Sequence, residues 1–318
     1  MQRLVSDIGG TNARFALVGD DGLPTDERTL KTKDFPGVVE AARTYLGSKR
    51  SEPFERIQSM VLVVAGPVEQ EPITLTNCPW SFSLADIKGA LGVERLIAIN
   101  DFVAQALAIP RLRVDEVEQL GGGAAIEGRP IVVIGPGTGL GVAGLLKVDG
   151  LYRPIATEGG HVAFAPKDAV EDAVLALLRG RFGHVSNERL LSGPGLVNFA
   201  NALAELDGAG LGLAAPAEVV ARAEGEGCPF CIDALARFST LLGAAAGDLA
   251  LAYGAHGGVY LAGGMIGHLG RWFDAERVLR AFVDKGRFEE YVGAMPLMRV
   301  LRTDTGLIGA AAASVQMV

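Results

Sequence analysis

The sequence predicts an α/β protein of two related domains. Residues 60–65 form a continuous apolar run (MVLVVA), which is typical of a strand in a sheet covered on both faces. An internal repeat is the second observation: residues 10–18 and 137–145 share Gly-Thr, three variable residues, a large apolar residue, Ala, any residue and a large apolar residue. Because the two copies lie far apart, they favour two domains, each opening with a glycine hairpin, over a solenoid. Two ordinary hairpins in a chain with 43 glycines are the alternative.

Composition favours two domains that act on a small molecule. The chain has 318 residues, whereas single hydrophobic cores stop growing at about 250–300 residues. The net charge of −8, with scattered Lys and Arg, disfavours nucleic acid as a partner. The three cysteines, Cys78, Cys228 and Cys231, do not form a disulfide framework and suit a reducing cytoplasm.

The apolar segments indicate neither a leader nor a membrane span. Asp7 interrupts the apolar N-terminal strand. The most apolar long region, residues 241–266, contains Asp248, His256 and several glycines. We therefore expect a cytoplasmic protein with no membrane partner and a neutral or modestly charged small-molecule ligand.

The second glycine turn is the stronger candidate for an anion site. Gly135, Gly137, Gly139 and Gly141 occupy every second position, with Thr138 among them. Such a turn leaves main-chain N–H groups free to form a concave nest for an anion. Glycine also lets the main chain approach a ligand closely and adopt positive φ.

The first glycine turn carries an acidic residue at its mouth. A short strand over residues 3–8 ends in the turn, and residues 15–18 return as its hairpin partner. The turn residues are Asp7, Ile8, Gly9, Gly10, Thr11 and Asn12. Asp7 and Thr11 can hold Mg²⁺ beside a phosphate, directly or through water. The alternative is that Asp7 caps the turn, which Asp commonly does.

Asp101 is a candidate general base. It lies between a strand over residues 96–100 and a helix over residues 102–108. Ligands of α/β sheets bind at such carboxyl ends of strands, and the helix dipole favours an ionised carboxylate there. A helix N-cap is the equally simple alternative for this position.

Two further glycine pairs suggest binding loops. Glu158 and His161 flank Gly159 and Gly160 in a tight bend that carries two polar side chains, although His161 alone is compatible with a structural role. Gly263 and Gly264 follow a buried strand over residues 259–262 and can face a flat ligand such as adenine; a plain turn is the alternative.

The remaining pattern predicts mainly core helices. We expect helices over residues 35–46, 84–91, 168–179, 193–206, 232–252 and 303–318, the fourth opened by Ser192 and the third ended by Gly180. Residues 20–24 are expected to form a turn, residues 207–214 a loop and residues 116–128 a glycine-rich connection.

Several known signatures are missing from the sequence. It contains no G-x-x-x-x-G-K-[ST], no G-x-G-x-x-G in the frame of the glycine turn, no protein-kinase set and no G-x-S-x-G. Cys228 and Cys231 form a single CxxC without a second pair, so zinc is disfavoured.

Six segments together resemble the bacterial cytoplasmic glucokinase family. They occur in the family's order: DIGGTNARFAL (residues 7–17), INDFVAQALAIP (99–110), VIGPGTGLGVA (133–143), TEGGHVAFAP (157–166), ERLLSGPGL (188–196) and LAGGM (261–265). The resemblance implies the two-domain actin-like ATPase (ribonuclease H-like) fold, with ATP and sugar in the interdomain cleft. It also implies a small domain of residues 1–110 plus 303–318 and a large domain of residues 111–302.

The resemblance also assigns roles to matching positions. Asp101 would be the base, and Asn100, Asp101, Glu158, His161 and Glu188 would hold glucose. Both glycine turns would face the phosphates, Asp7 would hold Mg²⁺ directly or through water, and Gly263 and Gly264 would lie near the adenosine. Family members often have an acidic residue where this chain has Ala163, which leaves sugar selectivity more open.

The expected activity is therefore ATP-dependent phosphorylation of D-glucose at glycolytic entry, by a homodimer. One alternative is a kinase for another hexose or an amino sugar on the same fold. Another is a non-enzymatic actin-like ATP-binding protein, such as a filament former. A donor other than ATP is also compatible with the glycine turns.

Overall fold

The computed structural model describes residues 2–47, 57–75 and 78–316, which pack as two compact units. The first unit comprises the described residues within Met1–Arg113, Val148–Ala156 and Asp304–Val318. The second comprises Val114–Lys147 and Thr157–Thr303. Each unit has a buried apolar cluster of its own.

The first sheet has five strands. In chain order the strands of this region are β1 (Arg3–Ile8), β2 (Asn12–Val18), β3 (Pro24–Lys31), β4 (Ser59–Val64), the short pair β5 (Ile73–Thr74) and β6 (Ser81–Phe82), and β7 (Arg95–Asn100). The sheet order is β3-β2-β1-β4-β7. β1 pairs antiparallel with β2 and parallel with β4. All six residues of β4 are buried, which confirms a covered strand for residues 60–64 of the MVLVVA run, and Ala65 follows the strand.

Three helices follow the predicted pattern with small shifts. They are α1 (Val38–Gly47), α2 (Leu84–Leu91) and α3 (Asp101–Ala108). α1 begins three residues later than expected, because Thr32–Asp34 form a 3₁₀ turn and Pro36 and Gly37 precede the helix. β3 was not predicted after the turn at residues 20–24, since six of its eight residues are exposed and carry no apolar pattern.

The second sheet repeats the order of the first. Its strands are β8 (Val117–Gly121), β9 (Ile131–Pro136), β10 (Leu140–Val148), β11 (Leu151–Thr157), β12 (Gly258–Leu261) and β13 (Leu297–Val300), in the order β11-β10-β9-β12-β13-β8. β9 pairs antiparallel with β10 and parallel with β12, as β1 does with β2 and β4. The shared strand order supports the internal repeat read from the two glycine hairpins.

The expected connection over residues 116–128 was partly wrong. Val117–Gly121 form β8, which pairs antiparallel with β13. The segment VEQLG lacks the alternation of apolar and polar residues that marks a strand. Its partner lies far along the chain, so local sequence carries no sign of the pairing.

Seven helices belong to the second unit and one returns to the first. They are α4 (Ala169–Phe182), α5 (Gly193–Leu206), α6 (Pro216–Gly225), α7 (Pro229–Tyr253), α8 (Gly264–Leu269), α9 (Ala275–Val283), α10 (Glu289–Gly293) and, in the first unit, α11 (Thr305–Gln316). α7 is long and apolar enough to span a membrane by length and composition, but 67% of its most apolar window is buried in the structure. The burial is that of a core helix, as its apolar stripe predicts.

The expected end of α4 at Gly180 was wrong. The helix continues to Phe182, and Gly183, with φ of 70°, follows it in the left-handed half of backbone space. A Cβ built on Gly180 would meet no atom within 4 Å, so this exposed glycine is an ordinary member of the helix. The helix ends where the chain takes up a positive φ, at Gly183, a conformation that glycine adopts readily.

α11 packs closely, as its glycines and alanines predict. It spans Thr305–Gln316, and the last two residues of the predicted helix lie outside the described residues. A Cβ on Gly309 would collide with the carbonyl oxygen of Ala104 in α3. Only glycine allows this approach of the two helices.

Candidate active site

The first glycine turn is closed by main-chain and hydroxyl hydrogen bonds. The nitrogen of Gly9 donates to the carbonyl oxygen of Asn12 over 2.9 Å. From the end of β3, the Thr32 hydroxyl donates to the Gly10 carbonyl over 2.9 Å, and the Thr32 nitrogen donates to the Thr11 carbonyl over 3.1 Å. The buried Thr32 thereby engages two carbonyl groups of the turn.

Asp7 is paired with a cation at the mouth of this turn. Arg14 lies opposite Asp7 in the β1–β2 register and donates to its Oδ2 over 3.2 Å. Burial raises the pKa of the Asp7 carboxyl above its ordinary value, and the Arg14 guanidinium opposes part of that rise. A Cβ on Gly306 would lie 2.8 Å from Asp7 Oδ2, so the start of α11 also confines this carboxylate.

The residues at this turn could hold Mg²⁺ only together with a bound phosphate group, because these residues alone offer too few ligands. Among the residues that the structure describes, no group of three or more His, Cys, Asp or Glu side chains could hold a metal ion. Mg²⁺ usually keeps several waters and takes one or two carboxylates beside substrate phosphates. The single carboxylate of Asp7 is compatible with that arrangement.

Asn100 and Asp101 lie at the same sheet edge as the first turn. Asn100 pairs with Val64, and Val64 pairs with Ile8, so these three residues form one row across β7, β4 and β1. Two interstrand spacings separate Asn100 from Ile8, which is about 10 Å. The predicted base and the predicted phosphate turn therefore share the carboxyl edge of this sheet.

Asn100, rather than Asp101, caps α3. The Asn100 Oδ1 accepts from the nitrogen of Phe102 over 2.8 Å, and its Nδ2 donates to the Gly66 carbonyl over 3.2 Å. Asp101 is the first residue of the helix, and its Oδ1 also accepts from Phe102 over 3.0 Å. The alternative of Asp101 as the N-cap is thus replaced by an Asn-capped helix that carries Asp101 in its first turn.

In the second glycine turn, glycine serves close approach rather than positive φ. Gly135, Gly137 and Gly139 all lie outside the positive-φ region, contrary to the expectation for this turn. A Cβ on Gly135 would lie 2.7 Å from the Ala262 carbonyl oxygen, and one on Gly139 would lie 2.5 Å from Oε2 of Glu188. Beside Gly137 there is no atom within 4 Å of a built Cβ, so a ligand could lie against the main chain there.

The start of α5 anchors the same turn. The Gly137 nitrogen donates to the Gly139 carbonyl over 2.8 Å, and the Gly137 carbonyl accepts from the Gly193 nitrogen over 2.8 Å. Ser192 is the N-cap of α5, where its hydroxyl accepts from the Gly195 nitrogen over 3.0 Å. Sequence reasoning named Ser192 only as a helix start and gave no sign of this link to the turn.

Three of the predicted sugar residues converge. The His161 Nε2 lies 4.0 Å from Glu158 Oε2 and 3.9 Å from Glu188 Oε2. The His161 nitrogen also donates to the Glu158 carbonyl over 2.9 Å within the bend. A Cβ on Gly160 would collide with the Leu140 carbonyl oxygen, and one on Gly159 would lie 2.9 Å from the side chain of Val142, which together explain the Gly-Gly pair. The result is two carboxylates and an imidazole around one point.

Gly263 meets the second turn, and Gly264 opens α8. Gly263 has φ of 91°, and a Cβ on it would lie 2.5 Å from the Pro136 carbonyl oxygen. On Gly264, by contrast, a built Cβ would have only a ring atom of His268, at 4.0 Å, as a neighbour. The predicted adenosine pair and the predicted phosphate turn are therefore adjacent within the second unit.

Comparison with known proteins identifies the family. The glucokinase family model matches residues 4–317. A glucokinase of Aromatoleum aromaticum is 46% identical over 98% of this chain and 94% of its own length, and one of Chromobacterium violaceum is 43% identical over 98% and 88%. The crystal structure of a glucokinase from an Antarctic psychrotroph matches with a TM-score of 0.89 and 35% identity over 99% of both chains.

A more distant structure shares the fold. The crystal structure of a ROK-family glucokinase from Streptomyces griseus, in complex with glucose and AMPPNP, matches with a TM-score of 0.59 and 22% identity over 99% of this chain and 100% of its own. The mixed α/β architecture is therefore the actin-like ATPase fold of sugar kinases. The full-length family match and the 46% identity to a curated relative establish that the chain belongs to the glucokinase family.

Proposed function

We propose that this chain transfers the γ-phosphoryl group of ATP to the 6-hydroxyl of D-glucose, with Asp101 as the general base. Membership of the glucokinase family is the observation that carries the proposal. The Asp101 carboxylate would accept the hydroxyl proton while the sugar oxygen bonds to the γ-phosphorus and the bond to the β-phosphate oxygen breaks. ADP and glucose 6-phosphate are the products. A positioned base of this kind contributes about 10²–10⁴-fold to the rate.

Glu158, His161 and Glu188 are proposed to bind the sugar. Two carboxylates accept hydrogen bonds from hydroxyl groups, and the imidazole can donate or accept according to its tautomer. Their convergence, with His161 within 4.0 Å of both carboxylates, suits a polyol. A missing or inverted hydroxyl would leave polar groups that the bound sugar covers without a partner, which is how such a site selects a sugar. The Asn100 amide already bonds to the main chain of Phe102 and of Gly66, so it would bind the sugar while keeping both of these hydrogen bonds.

The two glycine turns are proposed to bind the phosphates. Main-chain N–H groups of the turn from Asp7 to Asn12 and of the turn around Gly137, other than those of Gly9, Gly137 and Leu140, which already donate within the protein, would donate to phosphate oxygens. Asp7 would hold Mg²⁺, through water if not directly, and the ion would neutralise charge on the transferring group. Arg14, paired with Asp7, adds a fixed positive charge at the first turn. Gly263 and Gly264 would lie along the adenosine.

The organisation of the protein is part of the same proposal. We propose a small domain of residues 1–110 plus 303–318 and a large domain of residues 111–302, which assigns Val148–Ala156 to the large domain rather than to the first compact unit. The enzyme would act in the cytoplasm as a homodimer, at the entry to glycolysis, with glucose and ATP as its partners and neither nucleic acid nor membrane. The acidic sequence, with a net charge of −8, supports the absence of a nucleic-acid partner.

A sugar panel tests the reaction. ADP release from Mg·ATP is measured with glucose, fructose, mannose or N-acetylglucosamine, against a blank without sugar. Release with glucose well above the other sugars supports the proposal. Release with another sugar alone would assign a different hexose kinase and shift attention to Glu158, His161 and Glu188. Sugar-independent release, or none, would contradict the proposal for ATP as donor.

A further inference from the structure

We propose that Gly139 and Leu140, in the turn expected to bind phosphate, are positioning residues of the sugar site. They fix the carboxylate of Glu188, which lies 49 and 48 positions further along the chain. The inference rests on the proposed function, because it takes Glu188 as a sugar ligand. It reassigns Gly139 from the phosphates to the sugar.

The contact at Leu140 sets one oxygen of the carboxylate. The Leu140 nitrogen donates to Glu188 Oε2 over 2.9 Å, and Oε2 lies 3.9 Å from Nε2 of His161. Leu140 is the first residue of β10 and is buried, so the strand fixes the position from which its N–H donates. A charge-assisted bond to a main-chain donor is stronger than one between neutral groups. This bond fixes the direction of the carboxylate toward His161.

The absent side chain at Gly139 makes room for that oxygen. A Cβ built there would lie 2.5 Å from Glu188 Oε2 and 3.4 Å from its Cδ. Because Gly139 lies outside the positive-φ region, its backbone conformation does not require glycine. The requirement for glycine at this position therefore comes from Glu188.

The main chain of Glu188 is fixed from the opposite side. The Ser192 hydroxyl donates to the Glu188 carbonyl over 2.8 Å, and a Cβ on Gly195 would lie 2.8 Å from that same oxygen. The Glu188 side chain is 27% exposed, so both ends of a partly open residue are restrained. The start of α5 therefore holds its main chain, and the Leu140 N–H holds its carboxylate.

Gly137 provides a matched control two residues away. Its built Cβ has no neighbour within 4 Å, and it also lies outside the positive-φ region. Gly137→Ala therefore adds one methyl group to the open side of the turn, where a phosphate would lie. Gly139→Ala adds the same group on the side of Glu188.

The experiment measures KM for glucose and for ATP, together with glucose binding without nucleotide, in both variants. Losing a hydrogen bond to a charged group corresponds to about 10- to 100-fold in an equilibrium constant. We expect Gly139→Ala to raise KM and Kd for glucose by about that factor and to change KM for ATP less than about 2-fold. For Gly137→Ala we expect the opposite: KM for ATP should rise more than KM and Kd for glucose.

A double-mutant cycle separates a direct effect from general damage. Once Glu188→Ala has removed the carboxylate, adding Gly139→Ala should not weaken glucose binding further, so the two losses are non-additive. If Gly139→Ala alone fails to fold, the double variant with Glu188→Ala should recover folding. Additive losses, or an unchanged glucose affinity in Gly139→Ala, would overturn the inference. An inactive wild-type enzyme in the sugar panel would instead contradict the proposed function itself.

Discussion

The hydroxyl of Thr32 donates a hydrogen bond of 2.9 Å to the carbonyl oxygen of Gly10. This bond turns the carbonyl toward β3 and holds the first glycine turn in the shape that its proposed phosphate contacts require. Thr32 is 3% exposed, so no solvent competes for the hydroxyl. A residue outside the glycine motif thus supports the conformation of the motif.

Thr32→Val should weaken ATP binding by loosening this turn. Net contributions of single hydrogen bonds predict a rise in KM for ATP of about 2- to 10-fold, with KM for glucose unchanged. Steady-state kinetics with each substrate varied measures both constants. Thr25→Val is the control, because the Thr25 hydroxyl donates to the Leu17 carbonyl in the same strand pair, away from the turn. Equal effects of the two substitutions would contradict the role given to Thr32.

Gly180→Ala should stabilise the protein. Gly180 is an exposed interior residue of α4, and a Cβ there meets no atom within 4 Å. Replacing such a glycine by Ala raises helix stability by about 0.5–1 kcal/mol. Urea unfolding measures the gain. Gly183→Ala should instead destabilise, because Gly183 has φ of 70° at the end of the helix. A loss of stability in Gly180→Ala would indicate that α4 ends where the sequence alone suggested.

Arg237→Ala should destabilise the protein because it leaves a buried carboxylate without its cation, with only the Lys167 main-chain nitrogen still donating to it over 2.9 Å. Arg237 lies 3.3 Å from Oε1 of Glu171, which is 2% exposed, and 2.7 Å from Oδ2 of Asp168. Breaking a buried ion pair by removing one partner costs about 3–5 kcal/mol. Urea unfolding at neutral pH measures the loss. The double variant Arg237→Ala/Glu171→Gln should recover part of it.

The loss in Arg237→Ala should depend on pH in a defined direction. Burial raises the pKa of Glu171 in the folded state, so the Glu171 carboxylate is protonated more readily in the folded protein than in the unfolded chain. The Glu171 contribution to stability is therefore full below its unfolded pKa and is lost as the pH rises through the folded pKa. Without Arg237 the folded pKa rises further, so the deficit should be smaller near pH 4 than near pH 7. A pH-independent deficit would contradict this account.

Cys231 should make stability fall at alkaline pH. The thiol is fully buried, and burial raises its pKa from the ordinary 9.0 to about 12, with its neighbour Cys228 adding to the rise. Its contribution to stability is complete below about pH 9 and is lost as the pH rises toward 12. Unfolding midpoints measured from pH 8 to 11 should therefore decline more steeply for the wild type than for Cys231→Ala. Parallel curves would show that this thiol does not titrate in the folded protein as described.

Much of the fold followed from local sequence. The covered strand β4, the hairpin of β9 and β10 and the core helix α7 were predicted because their apolar patterns are strong and continuous. β3 and β8 were not, since both are edge strands whose exposed residues show no period of two. The end of α4 depended on the φ of Gly183, which composition does not distinguish from Gly180.

The candidate site was predicted residue by residue, but its supporting contacts were not. The convergence of Glu158, His161 and Glu188 joins segments that are distant in sequence, and only the resemblance to a family suggested it. The contacts of Glu188 with Leu140 and of Thr32 with Gly10 involve main-chain atoms. Main-chain atoms leave no mark in the sequence, so these bonds became visible only in the folded chain. The roles given to the site residues stay predictions.

The turnover of Asp101→Asn tests the central claim most directly. The substitution keeps the size of the side chain and an oxygen that can accept from Phe102, as Asp101 Oδ1 does over 3.0 Å. If Asp101 is the base, kcat should fall by about 10²–10⁴-fold while the affinity for glucose, measured by calorimetry, stays near that of the wild type. A near-normal kcat with unchanged glucose affinity would contradict the assignment of Asp101 as the base.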